Sequence, residues 1–301
     1  MSRVLVTGAS GLLGCKLVDL LSNEYEITPT HNTHAIYPNS VRMNIVDRNE
    51  VLRVLNRASP AVVVHTAGET NVDKCETHKD LAWSVNAEGT RNIAEACAEI
   101  GARPIYISTD YVFDGQKGLY NEEDEPNPAN YYGLTKLKGE EFVKELCEEY
   151  VVARTSVIYG WHPKKLNFAT WVIDSLRNQR RTTVSQDYYS SPTLADDLAD
   201  IIRLMMSRKI AGVYHAAGDD RVNRYEFAMK IAQTLGLDSS FLTPVSLKDP
   251  EAWIAKRPKD SSLCVDKLKI IGIQPVRLTQ ALTRMKNSQD LLGQDQAGPI
   301  A

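Results

Sequence analysis

Three features of the sequence predict an α/β protein built on a doubly wound parallel sheet, with a smaller, partly interleaved C-terminal α/β lobe. Strand-like and helix-like segments alternate through the first half of the chain, the pattern that builds βαβ units. The strand-like segments are apolar almost throughout, as strands covered on both faces must be. A glycine cluster lies directly between the first strand-like run and the first helix-like one.

The elements follow in order. Arg3–Thr7 is a short run of Val and Leu, and residues 12–22 carry the first helical pattern. Residues 26–30 read as a second strand, 48–57 as a helix and 61–66 (Ala-Val-Val-Val-His-Thr) as a buried strand. A helix around 81–100, a strand at 104–108, a helix at about 132–150 and a strand at 151–155 complete the alternation. Beyond Tyr159 the rhythm loosens. Helices are expected at 168–178, at 196–207 with Thr193 as N-cap, and at 224–235, with a strand at 212–216 that returns to the main sheet. Trp83 and Trp171 read as packing residues, and 122–125 (Glu-Glu-Asp-Glu) as a solvated acidic loop.

The chain has 301 residues, a hydrophobic fraction of 43% and a charged fraction of 24%, ample for a sizeable core. The net charge of -3 carries no basic footprint for nucleic acid. No apolar stretch has the length of a membrane span. Cys15, Cys75, Cys97, Cys147 and Cys264 are odd in number and scattered, which points to reduced thiols and a cytoplasmic location. The six histidines show no metal-ligand spacing, so no metal site is expected.

The glycines Gly8, Gly11 and Gly14 are spaced Gly-x-x-Gly-x-x-Gly between strand and helix. A pyrophosphate must approach bare backbone N–H groups at a helix N-terminus, so the motif predicts dinucleotide binding on a Rossmann sheet. An acid at the tip of the second strand would hold the ribose hydroxyls of NAD. Here the tip reads Thr30-His31-Asn32. His31, Asn32 or Arg42 can instead meet a 2′-phosphate, which favours NADP, with NAD as the alternative. Residues 1–160 with about 188–216 are the expected dinucleotide-binding body. Residues 161–187 with 217–286 form the expected substrate lobe, and 287–301 a mobile tail.

Tyr132 and Lys136 are four apart at the start of a helix and so share a face. A nearby ammonium lowers a phenol's pKa and suits it to proton transfer. Ser108 and Thr109 end the fourth long strand, where a hydroxyl can donate to a carbonyl oxygen as charge develops on it. Glycine loop, strand-end hydroxyl and Tyr-x-x-x-Lys together describe a carbonyl reductase.

These motifs, with residues 67–76, 108–115, 130–136, 154–160 and Ser191-Pro192-Thr193, resemble the extended short-chain dehydrogenase/reductases. Within them the chain is similar to the dTDP-4-dehydrorhamnose reductase family over roughly residues 3–285. It is also similar to the methionine adenosyltransferase regulatory β subunit, a non-catalytic relative. The resemblance implies NAD(P)H-dependent reduction of the 4-keto group of dTDP-4-dehydro-6-deoxy-L-mannose. It assigns proton donation to Tyr132 with Lys136, and the carbonyl contact to Thr109. It places Gly8, Ser10, Gly11, Leu12, Leu13, His31, Asn32, Asp47, Thr66, Ala67, Gly68 and Asn86 at the cofactor, with Tyr132 and Lys136. Thr70, Tyr111 and Val157 face the sugar, and Arg180, from the run Arg177, Arg180, Arg181, is the candidate for its diphosphate. The partner expected is a nucleotide-sugar substrate, and a homodimer is compatible with the family. Two positions depart from the family pattern: Val157 stands where a Trp is common, and Glu69 adds a carboxylate.

Overall fold

The computed structural model describes residues 2–246 and 253–292. Seven strands form the main sheet: β1 (Arg3–Thr7), β2 (Glu26–His31), β3 (Val41–Arg42), β4 (Val62–His65), β5 (Arg103–Thr109), β6 (Val151–Thr155) and β7 (Gly212–His215). Their order is β7-β6-β5-β4-β1-β2-β3, and every pairing is parallel. The order reverses beside β1, so the crevice for a ligand opens at the carboxyl ends of β1 and β4. Register brings the strand ends level there, with Thr7 opposite His65 and Thr109 opposite Thr155.

The apolar strands are sealed on both faces. Helices Leu12–Leu21 and Ala195–Ser207 pack on one side around Leu17, Leu198 and Ile202. Helices Arg48–Ala58, Gly89–Ile100 and Tyr131–Leu146 cover the other around Leu55, Ile93 and Val143. The lobe has its own core, where helices Phe168–Arg177, Arg224–Leu235 and Leu278–Leu292 enclose Ile173, Phe227 and Leu282. Its short strands Thr182–Ser185 and Leu242–Val245 pair in parallel. The strand at 212–215 does return to the main sheet, beside β6.

Several expectations shift. Leu194, without a side-chain bond, caps the helix at 195. Thr193 instead donates to the Ser191 carbonyl and accepts from the Gly218 N–H. The last helix runs to Leu292, through the first residues assigned to the tail; 293–301 lie outside the described residues. Leu268 and Ile273 join the main-sheet core, so the chain crosses back from the lobe once more before that helix. Among the described residues, no helix is long and apolar enough to cross a membrane.

Candidate active site

The glycine loop fills the crevice between β1 and β4. Gly8 takes φ +64°, and a Cβ there would come within 2.9 Å of the Ala67 backbone, so only glycine fits. Gly14 packs against the Gly8 carbonyl too closely for any side chain. Gly11 begins the first helix without a side-chain cap, leaving first-turn N–H groups to an acceptor from outside the chain. A bare turn and an uncapped helix start fit the pyrophosphate of a dinucleotide.

A chain of hydrogen bonds holds the neighbouring strand end. The Thr7 hydroxyl accepts the N–H groups of Thr66 and Ala67 at 3.1 Å and donates to Nδ1 of His65 at 2.7 Å. Nε2 of His65 donates to Thr90, whose hydroxyl donates to the Asn86 carbonyl. Only the neutral ring protonated at Nε2 satisfies this chain. Burial keeps it neutral, with its pKa down to about 3.

A cavity of about 270 Å³ runs from the loop to the tip of β2, lined by Gly8, Ser10, Gly11, His31, Asn32, Thr66, Ala67, Gly68 and Lys165, among others. No Asp or Glu lines it among the described residues. Asp47 lies one residue beyond the lining segment and caps the helix at 48, accepting from the Glu50 N–H at 3.0 Å. Arg42, the other cation considered for a 2′-phosphate, lies outside the lining and sits 3.6 Å from Glu50. Asn86 is buried, and its side chain brackets the 67–69 loop, accepting from the Glu69 N–H at 2.8 Å and donating to the Glu69 carbonyl. It shapes the cavity from behind instead of lining it.

The second cavity, about 450 Å³, joins Leu12, Leu13, Thr70, Thr109, Tyr111, Tyr132, Lys136 and Val157. Asn130 caps the helix that carries Tyr132 and Lys136, accepting from the Gly133 N–H at 2.9 Å. The capping side chain also donates to the Lys256 carbonyl, so the lobe fixes where that helix begins. The Lys136 ammonium donates to the Ile107 carbonyl at 2.7 Å and sits 4.1 Å from the Tyr106 ring. Burial pulls its pKa down to about 7, against the attraction of Glu140. Tyr132 packs edge-on to Tyr111, and burial raises its phenol above the ordinary value while the Thr109 hydroxyl pulls the other way. The depressed phenol expected from the Tyr-x-x-x-Lys spacing is therefore absent: desolvation outweighs charge, and the ammonium is engaged with β5.

Beneath these residues Glu140 accepts from Ser108 at 2.6 Å and takes two hydrogen bonds from Arg154, at 2.9 and 2.8 Å. Ser108 and Thr109 both line the cavity, but the Ser108 hydroxyl is committed to Glu140. The Thr109 hydroxyl accepts from the Tyr111 N–H and donates to Asp110.

The chain matches the model for the RmlD substrate binding domain over residues 2–290. It belongs to this family. A dTDP-4-dehydrorhamnose reductase from Bacillus anthracis, solved in complex with NADP, is 33% identical and superposes with a TM-score of 0.87, covering 96% of this chain and all of that one. Methionine adenosyltransferase 2 subunit beta of Bos taurus is 34% identical over 285 residues, which are 90% of this chain and 83% of that protein. The spore coat polysaccharide biosynthesis protein SpsK of Bacillus subtilis is 33% identical over 285 residues, 94% and 96% of the two chains.

On the substrate side this RmlD-family chain differs from its sequence reading. Arg180 is exposed, pairs with Asp174, and lies outside the cavities around the site. Trp171, read as packing, lines a third cavity together with Tyr111, Val157, Arg224 and Arg257. The acidic loop is partly structural, since Glu122 accepts the His215 N–H and Asp124 pairs with Lys117. Sequence reasoning missed Arg224, Arg257 and Lys165. No local pattern in the sequence marked any of the three as facing a cavity.

Proposed function

We propose that the protein reduces the 4-keto group of dTDP-4-dehydro-6-deoxy-L-mannose to give dTDP-L-rhamnose, with NADPH as reductant. The convergence of Thr109, Tyr132 and Lys136 on one cavity beside the glycine crevice carries this reading. The acid-free ribose end with Lys165 at its rim supports NADP over NAD.

The Gly8–Gly14 crevice would hold NADPH, which would supply the hydride for C4 of the sugar. Tyr132 donates its proton to the developing C4 alkoxide, and a phenol raised by burial holds that proton at neutral pH. Thr109 turns its hydroxyl from Asp110 to the carbonyl oxygen and stabilises the growing charge. Lys136, anchored on the Ile107 carbonyl, would hold the ribose of the cofactor and set a positive charge near the phenol. Leu12 and Leu13 give the same cavity an apolar wall.

Mixing purified protein, NADPH and dTDP-4-dehydro-6-deoxy-L-mannose tests the reading through loss of nicotinamide absorbance. Tyr132→Phe should cut kcat by roughly a hundredfold or more while NADPH affinity holds. A full rate in that variant refutes the proton donor. A second reading, an NADP-binding regulatory subunit, draws on the identity with the bovine methionine adenosyltransferase subunit and on Val157 in place of a flat stacking ring. No turnover, with binding to a methionine adenosyltransferase catalytic subunit, would favour it.

A further inference from the structure

Residues 160–167 form a loop whose tip reaches both cavities around the glycine loop. Its ends are pinched together, because the Asn167 side chain donates to the Gly160 carbonyl at 2.7 Å and also caps the helix Phe168–Arg177. A surface loop closed in this way keeps its shape through its own side chains. The Trp161 indole donates to the Met285 carbonyl at 2.7 Å and fixes the base to the lobe. The tip presents Lys165 and Leu166 to the catalytic cavity, and Lys165 also lines the cavity that runs to β2.

One imidazole holds this strap. Nδ1 of His162 accepts the N–H groups of Lys164 and Lys165, at 3.1 and 2.9 Å, and Nε2 donates to the Ser10 carbonyl of the glycine loop at 3.2 Å. Only the neutral ring with its proton on Nε2 makes all three bonds. A second proton, on Nδ1, removes both bonds to the strap. Burial holds the His162 pKa below its ordinary value against the pull of the Ser10 carbonyl, and Lys165, Lys16 and Lys164 add to the effect of burial. Lys16 stands on the first helix and pairs with Asp196, on the helix Ala195–Ser207, at 3.1 Å.

Lys165 stands where the two cavities join. It lines both, as do Gly11, Thr66 and Gly68, and Gly11 begins the first helix without a side-chain cap. A dinucleotide spanning the two cavities passes its phosphates through this junction, between the helix start and the ammonium.

We propose that His162 is the positioning residue of a cofactor strap: as a neutral ring it ties residues 160–167 to the glycine loop and keeps the Lys165 ammonium on a phosphate of the bound dinucleotide, and its protonation frees the strap and speeds cofactor exchange. The bridging diphosphate and the 2′-phosphate of NADP offer this cation the same chemistry. In the freed strap the ring is an ordinary histidine with a pKa near 6.5, so the open form gains as pH falls below about 6.5. The inference rests on dinucleotide binding in the crevice and on no step of the reductase reading.

The test is stopped-flow displacement of NADPH and of NADH from the wild type, His162→Ala, His162→Asn, Lys165→Met and Lys164→Met, at about pH 8 and about pH 5.5. Lys164 is the control, since its side chain lines neither cavity. An Asn side chain can accept the strap N–H groups and does not titrate. The ratio of wild-type to His162→Asn release rates therefore cancels any titration of the cofactor's own phosphate. At about pH 8 His162→Ala and Lys165→Met should release NADPH roughly tenfold faster than wild type, with His162→Asn between and Lys164→Met at the wild-type rate. At about pH 5.5 the ratio of wild type to His162→Asn should rise by roughly threefold to tenfold. A Lys165→Met effect equal for both cofactors assigns the bridging diphosphate, and one confined to NADPH assigns the 2′-phosphate. Wild-type release from His162→Ala, or a ratio that does not move with pH, overturns the strap and leaves dinucleotide binding standing. A wild-type chain that binds neither cofactor refutes both.

Discussion

The Ser261 hydroxyl donates to Oδ2 of Asp110 at 2.6 Å, and this contact joins the lobe to the strand end that carries Thr109. The same oxygen takes the Ser156 hydroxyl at 2.7 Å, while Oδ1 takes Thr109 at 3.1 Å. Burial raises the Asp110 pKa, and the three hydroxyls work against the rise. The seating of Ser261 and the aim of the Thr109 hydroxyl are therefore coupled through one carboxylate.

Ser261→Ala should expose that coupling. It removes one donor from a buried acceptor, which costs about 1–3 kcal/mol, read as a shift in the urea midpoint. kcat should fall with NADPH affinity unchanged, because the altered group touches Thr109's partner and lies away from the glycine loop. Wild-type kcat in a destabilised variant would separate the carboxylate from the chemistry.

A second prediction concerns the ion pair under the site. Arg154 is 2% exposed and Glu140 fully buried, with Ser108 as a third member of the group. Glu140→Ala leaves the guanidinium buried without its partner, a loss of about 3–5 kcal/mol that chemical denaturation will measure. Glu140→Gln, which keeps the shape and one acceptor, should lose less.

Gly8→Ala tests the cradle. The residue would need a left-handed backbone and a Cβ 2.9 Å from Ala67, so the Thr66–Ala67 segment that follows β4 must retreat from the loop. NADPH binding, followed by fluorescence, should be lost or weakened by more than about tenfold, whereas Gly101→Ala, also left-handed but with open space around it, should bind normally. Equal affinities would mean the loop does not approach the cofactor.

The alternation, the glycine loop and Tyr132 with Lys136 were legible because each is written locally. Strands buried on both faces are apolar along their length, and a spacing of four is one helical turn. Thr193 misled because Ser or Thr before a helix is a common cap, yet its hydroxyl serves Gly218, 25 residues away. Arg224 was illegible for a related reason. It meets Tyr111 and Val157 at the cavity only in three dimensions, far from both along the chain. Asn86, expected at the cofactor, instead braces the 67–69 loop, and only its bonds to Glu69 reveal that role.

The last prediction follows from the buried ammonium. Lys136 is pulled from 10.5 down to about 7 by desolvation. In the unfolded chain its amine holds a proton up to about pH 10.4, so over the window from about pH 7 to about 10 the unfolded state binds the extra proton. Stability contributed at this position therefore rises with pH through the window, and the full penalty of burying a cation is present below about pH 7. Lys136→Met removes both the penalty and the slope. Its thermal midpoint at neutral pH should exceed the wild type's, its advantage should shrink as pH approaches about 9.5, and turnover should be lost. Parallel stability curves for the two proteins across that range would show that Lys136 titrates as a solvated amine, and would remove the cost that the site bears to keep a charge beneath its phenol.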